Sequence, residues 1–173
     1  IGDGLLRQLP NSCHRHTMSG HVDTNTASTL PLSHEWIAAR IPHSGDMCLL
    51  NSVLSWDADH IHCDANSHRQ LSNPLRLQNQ LSSVCGVEYA AQAMAVHGAL
   101  IAPTDNTNPR VGYLVSIRNT QFEVPRLDDI QSDLQIHAEC LTANEHNLMY
   151  EFKIMANQHL LLSGRAAVVL NTI

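Results

Sequence analysis

Apolar and polar positions between residues 31 and 173 follow two rhythms, one of period two and one almost without polar positions. From Met47 to Trp56 apolar and β-branched residues predominate, and from His60 to Asn66 the residues Ile61, Cys63 and Ala65 alternate with His62 and Asp64. Two strands joined by the Asp57-Ala58-Asp59 turn, a hairpin, are expected there. Leu134, Ile136, Ala138 and Cys140 alternate with Gln135, His137 and Glu139, and Tyr150, Phe152 and Ile154 alternate with Glu151 and Lys153. Each pattern predicts a strand with one buried face. Another strand is expected over Val111 to Val124, and the Asn157-Gln158 turn should lead into a last strand, Leu160 to Leu170, with Gly164 as a bulge. The stretch Leu81 to Ala102 is instead apolar almost all round, which predicts a buried helix closed by Pro103. A shorter helix is expected from Leu32 to Arg40, with Ser33 as N-cap, Trp36, Ile37 and Ile41 on one side and Pro42 ending it. Residues 67–80 show no period and form a long connection. Two strands, one long apolar helix and then four strands predict an α+β domain in which an antiparallel sheet covers one helix.

The chain of 173 residues suits one ordinary domain, assigned here to residues 31–173. Residues 1–30 are polar and without period, and are expected to be a tail, with Met18 a candidate natural start. The tail lacks the apolar core of a secretory signal. Its Cys13, His14, His16 and His21 could be proposed as metal ligands, but without a folded frame a solvated tail is the favoured reading and no metal site is assigned. A net charge of −6 with scattered Lys and Arg argues against nucleic acid. Five cysteines without paired spacing point to reduced thiols in a cytoplasmic setting. Glu88, Gln92 and His97 interrupt the most apolar stretch, so no membrane span is expected.

Within that stretch Glu88 is the one formally charged residue between Arg76 and Asp105. A buried, unpaired carboxylate is costly, so Glu88 should shift its pKa upward or find strong partners, and Gln92, one turn later, could supply one hydrogen bond. A catalytic role and a plain structural one, at a wet helix edge or paired with an arginine, stand equally open at this point. Cys85, Gly86, Ala90, Ala91 and Ala93 suit close packing by a sheet or close approach of a thin ligand chain, the former explaining most of them.

These residues resemble those of a known family, the 3-hydroxyacyl-[acyl carrier protein] dehydratases of hotdog fold. Gly86-Val87-Glu88-Tyr89-Ala90-Ala91-Gln92-Ala93-Met94 is similar to the family's central helix, in which an acid is followed by small residues and a glutamine. Ile41-Pro42-His43 and then Met47-Cys48-Leu49-Leu50 resemble its opening signature. Ser67-His68-Arg69 with Asn73-Pro74 stands where the family has its catalytic histidine and proline-containing loop. The likeness covers roughly residues 33–170 and is strongest to the dehydratase-like proteins of aryl-polyene and related fatty-acid-like gene clusters. Two departures are a separation of twenty positions between His68 and Glu88, longer than usual, and Gln80-Leu81-Ser82-Ser83 in place of a glycine-rich helix entry.

The resemblance implies a hotdog fold, with the sheet wrapped around the helix at about 81–102, and dehydration of a 3-hydroxyacyl thioester to the trans-2-enoyl product. It implies His68 as the base and Glu88 as the acid, with Ser83 and Val84 backbone N–H groups, and Gln92, serving the substrate and its enolate oxygen. His43 would be a structural corner, His60 and His62 exposed, and His97 about 13 Å along the helix from Glu88. No metal or redox cofactor is implied, because the acyl chain arrives on the phosphopantetheine arm of an acyl carrier protein. Arg69, Arg76, Arg110 and Arg118 are candidates for docking that acidic protein. A homodimer, or a heterodimer with a related dehydratase subunit, is expected. The rival readings are an acyl-thioesterase of the same fold and a non-catalytic subunit that binds acyl chains or stabilises a partner.

Overall fold

A computed structural model describes residues 30–102 and 110–172, apart from the side chains of residues 110, 111, 171 and 172. The tail with Cys13, His14, His16 and His21, and the turn-rich residues 103–109, lie outside the described residues.

The expected hairpin is β2 (Ser52–Trp56) and β3 (His60–Ala65), preceded by a two-residue strand β1 (Leu32–Ser33) and a short helix α1 (His34–Ala38). Ser33 caps α1, its hydroxyl accepting from the Trp36 N–H at 3.3 Å. The long helix follows as a 3-10 turn at Ser83–Cys85 running into α2 (Gly86–Ile101). Four strands complete the chain: β4 (Arg110–Phe122), β5 (Leu134–Ala143), β6 (Asn147–Ala156) and β7 (His159–Thr172). All seven strands form one antiparallel sheet in the order β1-β2-β3-β5-β6-β7-β4. Asn157 and Gln158 both take positive φ, 48° and 66°, as a two-residue hairpin turn of the primed type requires.

Burial follows the period-two pattern. Ile61, Cys63, Ala65, Leu134, Ile136, Ala138, Tyr150, Phe152 and Ile154 face inward and are all 3 % exposed or less. They meet Tyr89, Ala90, Ala93, Met94 and Val96 of α2, which lies across β3, β5 and β6. Each large apolar side chain buried in this way contributes about 1.5–3 kcal/mol. By length and mean hydropathy (1.2) the stretch Ser83–Ile101 would also cross a membrane, but here the sheet covers its apolar side. His97 is wholly buried at the far end of α2, where its Nε2–H donates to the Asp57 carbonyl and Nδ1 accepts from the Tyr150 hydroxyl, both at 3.0 Å.

Two glycines are fixed by close approach. A Cβ on Gly86 would stand 2.7 Å from Leu162 Cδ2, so this position lets the first turn of α2 settle on β7. Gly164 does lie at a bulge, but the extra residue is on β4: Arg118 pairs with Arg165 and Gln121 with Ser163, so Asn119, with a positive φ of 52°, and Thr120 together face Gly164. On its other side Gly164 pairs in register with Phe152, and a Cβ there would be 2.9 Å from the Phe152 ring. A second register shift falls earlier in β7, where Ile154 pairs with Leu162 but Met155 with Leu160, leaving Leu161 as the extra residue.

On the sheet's outer face His60 is exposed and pairs with Asp57 at 3.1 Å, whereas His62 is half-buried and stacks on His137 with ring centroids 4.0 Å apart. Burial, with His62 and Lys153 adding to it, pushes His137 down to about 4. Its folded pKa therefore lies below the unfolded value of about 6.5, and between the two the unfolded chain holds more protons. Stability should fall as pH drops through that window. The urea midpoint followed from pH 7 to 4 should decline, and His137→Asn, which cannot titrate, should flatten the decline.

Candidate active site

Two segments distant in sequence bring the candidate residues together. Pro42 carries the chain out of the α1 region, and residues 41–50 run past the first two turns of α2 without regular structure except for a 3-10 turn at Gly45–Met47. Such a segment cannot satisfy its backbone groups on a strand neighbour, and Gln92 does so in their place. Its Oε1 accepts from the Leu49 N–H at 2.9 Å, and its Nε2 donates to the Met47 carbonyl at 2.8 Å and to Glu88 Oε1 at 3.0 Å. His43, at the near end of the segment, places Nε2 3.0 Å from the same Glu88 oxygen. The two side chains are 26 % and 31 % exposed, so the pair stands at the mouth of the core with one side open.

Glu88 is therefore a half-open carboxylate with strong partners, the expected Gln92 among them. Its histidine is His43 and not His68. The His68 ring is fully buried, and its Nε2–H donates to the Ile130 carbonyl at 3.0 Å. Burial holds its pKa below the ordinary histidine value. Together with Arg69, which bonds the Gln131 carbonyl at 2.9 Å and Asp133 at 2.6 Å, the ring ties down the 130–133 loop.

The long connection before α2 is organised by Arg76. Its guanidinium donates to the carbonyls of Gln70, Asn79 and His68 at 2.7–3.0 Å, and it lies 3.8 Å from Asp128. Asp128 in turn accepts from the Leu81 N–H at 2.7 Å and pairs with Arg126, which holds its carboxyl down to about 2. Closer to the site, Asn73 Nδ2 donates to the Tyr89 hydroxyl at 3.0 Å, Tyr89 to Ser67 Oγ at 2.9 Å, and Ser67 to the Leu49 carbonyl at 2.7 Å. This buried chain fixes the other side of the residue that Gln92 holds.

The other expected substrate contacts are reassigned in part. The Ser83 N–H donates to the Pro125 carbonyl at 3.1 Å and has no capacity left for an enolate oxygen. The Val84 N–H is held only by Ser82 Oγ at a long 3.4 Å, in a residue 59 % exposed. It remains the available donor at the positive end of the helix. Gln92 is wholly buried with both amide hydrogens donated and its oxygen accepting, so it positions Glu88 and does not meet substrate. Among the described residues no group of three His, Cys, Asp or Glu is arranged to hold a metal ion. Of the docking candidates, Arg69 and Arg76 are engaged within the chain, Arg118 is exposed, and the Arg110 side chain lies outside the described residues.

A seven-stranded antiparallel sheet wrapped around one long helix, with an acid on that helix facing an open edge, is the hotdog fold. Within that fold the chain belongs to the ApeP-like dehydratase family, whose model matches residues 36–172. These are hotdog dehydratases of aryl-polyene clusters. The dehydratase heterocomplex ApeI:P from Xenorhabdus doucetiae is similar in structure, with a TM-score of 0.66 and 24% identity over 78% of this chain and 90% of that one. A thioesterase of Pseudomonas aeruginosa matches with a TM-score of 0.54 and 8% identity, covering 72% of this chain and 82% of its own. A thioesterase of Haemophilus influenzae gives 0.52 and 11%, covering 70% and 78%. At these identities the solved structures establish the fold alone. No curated protein matches the chain.

Proposed function

We propose that this chain dehydrates a 3-hydroxyacyl thioester, carried on the phosphopantetheine arm of an acyl carrier protein, to the trans-2-enoyl thioester and water. The observation that carries the reading is the Glu88–His43 pair, 3.0 Å apart and fixed by Gln92, on the open side of the central helix of a dehydratase-family chain. The reaction must remove a weakly acidic α-proton and protonate a departing hydroxyl, which is work for a positioned acid and base. The Val84 N–H is the donor assigned to the thioester oxygen as it gains charge. Proton transfer of this kind calls for no metal or redox cofactor.

The substrate implies a cytoplasmic enzyme that meets a carrier protein, and Arg118 is the described cation assigned to docking it. Assembly as a dimer is supported by β4, the last strand in the sheet order. Its outer edge has no partner strand among the described residues, and it exposes Tyr113, Leu114 and Val115. A long apolar edge is a template for pairing with a second chain. The solved relative ApeI:P is a heterocomplex, which favours a related dehydratase subunit as that second chain.

The test is incubation of the chain, alone and with such a subunit, with a 3-hydroxyacyl-carrier substrate while enoyl absorbance and free thiol are followed. Enoyl formation without thiol release is the expected result. Thiol release without enoyl absorbance would establish a thioesterase instead. If a Glu88→Gln/His43→Ala double variant supported the partner's activity as well as the unaltered chain does, this subunit would be a non-catalytic one.

A further inference from the structure

The hydrogen bonds around Glu88 divide the labour between its two oxygens, and this inference rests on the dehydratase reading above. The orientation of the Gln92 amide is fixed, because the atom facing the Leu49 N–H must be its oxygen and the atom facing the Met47 carbonyl must be its nitrogen. Gln92 Nε2–H therefore donates to Glu88 Oε1, so this oxygen is an acceptor. His43 Nε2 lies against the same Oε1. An imidazole facing a carboxylate oxygen does so with its N–H, which leaves Nδ1 as the only nitrogen lone pair of a neutral ring. That Nδ1 is buried and has no hydrogen-bond partner among the described residues. No basic nitrogen of His43 thus faces the open side. Glu88 Oε2, which accepts no hydrogen bond from the described residues, is the lone-pair atom left for a substrate.

We infer that Glu88 performs both proton transfers through Oε2, and that His43 is a positioning residue holding Oε1. In the first step Oε2 takes the α-proton, and the C–H electron pair forms the enolate of the thioester. In the second, that electron pair closes the double bond as the β C–O bond breaks, and Oε2 gives the same proton to the leaving hydroxyl. Water departs and the carboxylate is restored, with no proton exchanged with solvent in the balance. A single oxygen reaches both groups only if the α-hydrogen and the hydroxyl lie on one face of the acyl chain, so the elimination is syn.

The experiment compares the unaltered protein, assembled with its partner subunit where activity needs it, with His43→Gln, His43→Ala and Glu88→Gln. The probe is 3-hydroxyhexanoyl-pantetheine, followed by enoyl absorbance over a range of pH. Loss of the acid–base group in Glu88→Gln should cost about 10²–10⁴-fold. His43→Gln keeps an N–H near the carboxylate and should fall by only about tenfold, the size of one charge-assisted hydrogen bond misplaced, with His43→Ala lower still. Any acid limb in the pH–rate profile of the unaltered protein should persist in His43→Gln, because the His43 ring carries no proton in this scheme. Loss of that limb, or a His43→Gln variant as inactive as Glu88→Gln, would overturn the division of labour while leaving the dehydratase reading in place. An unaltered protein that forms no enoyl product in any assembly would overturn that reading itself, and this inference with it. Folding of each variant is read from its thermal midpoint, and His43→Asn replaces His43→Gln should the latter unfold.

Discussion

Glu88→Gln should lower the rate of enoyl formation by about 10²–10⁴-fold, the usual worth of a positioned acid or base, while the thermal midpoint changes little. The carboxylate is half-open and its neighbours donate to one oxygen only, so an isosteric amide still fits between His43 and Gln92. The amide can present its carbonyl oxygen to both donors but can neither accept the α-proton nor carry it to the hydroxyl. Binding of the thioester should survive, so the loss should appear in kcat and leave KM within a few-fold of its starting value. A variant that kept full turnover would remove Glu88 from the chemistry and leave the family fold without its proposed acid.

Gln92→Leu should be damaging in a different way, lowering stability and turnover together. The side chain is wholly buried, and leucine would strand the Leu49 N–H and the Met47 carbonyl without partners. A buried group left unsatisfied costs about 1–3 kcal/mol, so two such groups are a large part of the stability of a domain this size. Glu88 also loses the donor that fixes its Oε1. Urea unfolding should report the first effect and steady-state turnover the second. Gln92→Glu separates the two, since it can keep the bond from Leu49 while placing a second carboxylate beside Glu88. Its turnover should fall further than its stability. Equal stability for Gln92→Leu and the unaltered protein would mean that residues 41–50 are held by something other than this side chain.

What the residues revealed of the fold was what repeats with a period. The Ile61-Cys63-Ala65 and Leu134-Ile136-Ala138 alternations placed β3 and β5, and the unbroken apolar run placed α2, because burial acts on every second residue of a strand and on all sides of a core helix. Strand β1 is not legible in the sequence, because two residues carry no period. Residues 67–80 showed none because their order comes from Arg76 reaching backbone carbonyls, which leaves no trace in polarity. Gly164 is legible as the place of a bulge, but not that the extra residue stands on the neighbouring strand β4. The packing of the Phe152 ring against it is a second reason for glycine there, and polarity does not record it.

The site was half legible. A single acid in an apolar helix announces itself, and Gln92 four positions on was already a candidate for its hydrogen bond. His43 is less legible as the partner of Glu88, because it lies 45 residues away in a segment without regular structure, while His68 stands nearer in the chain. A signal was present in Pro42-His43 followed by the apolar Met47 to Leu50. It describes a short stretch that must pass the core with unpaired backbone groups, and these are the groups Gln92 collects.

The bond from the Leu49 amide to Gln92 also joins the integrity of the site to a slow and local event. Backbone amides in β3 or β6 exchange with solvent deuterium only when ladders of the sheet open, but the Leu49 amide is freed whenever residues 41–50 lift from α2. Its exchange rate therefore measures how often His43 leaves Glu88, separately from the unfolding of the domain as a whole.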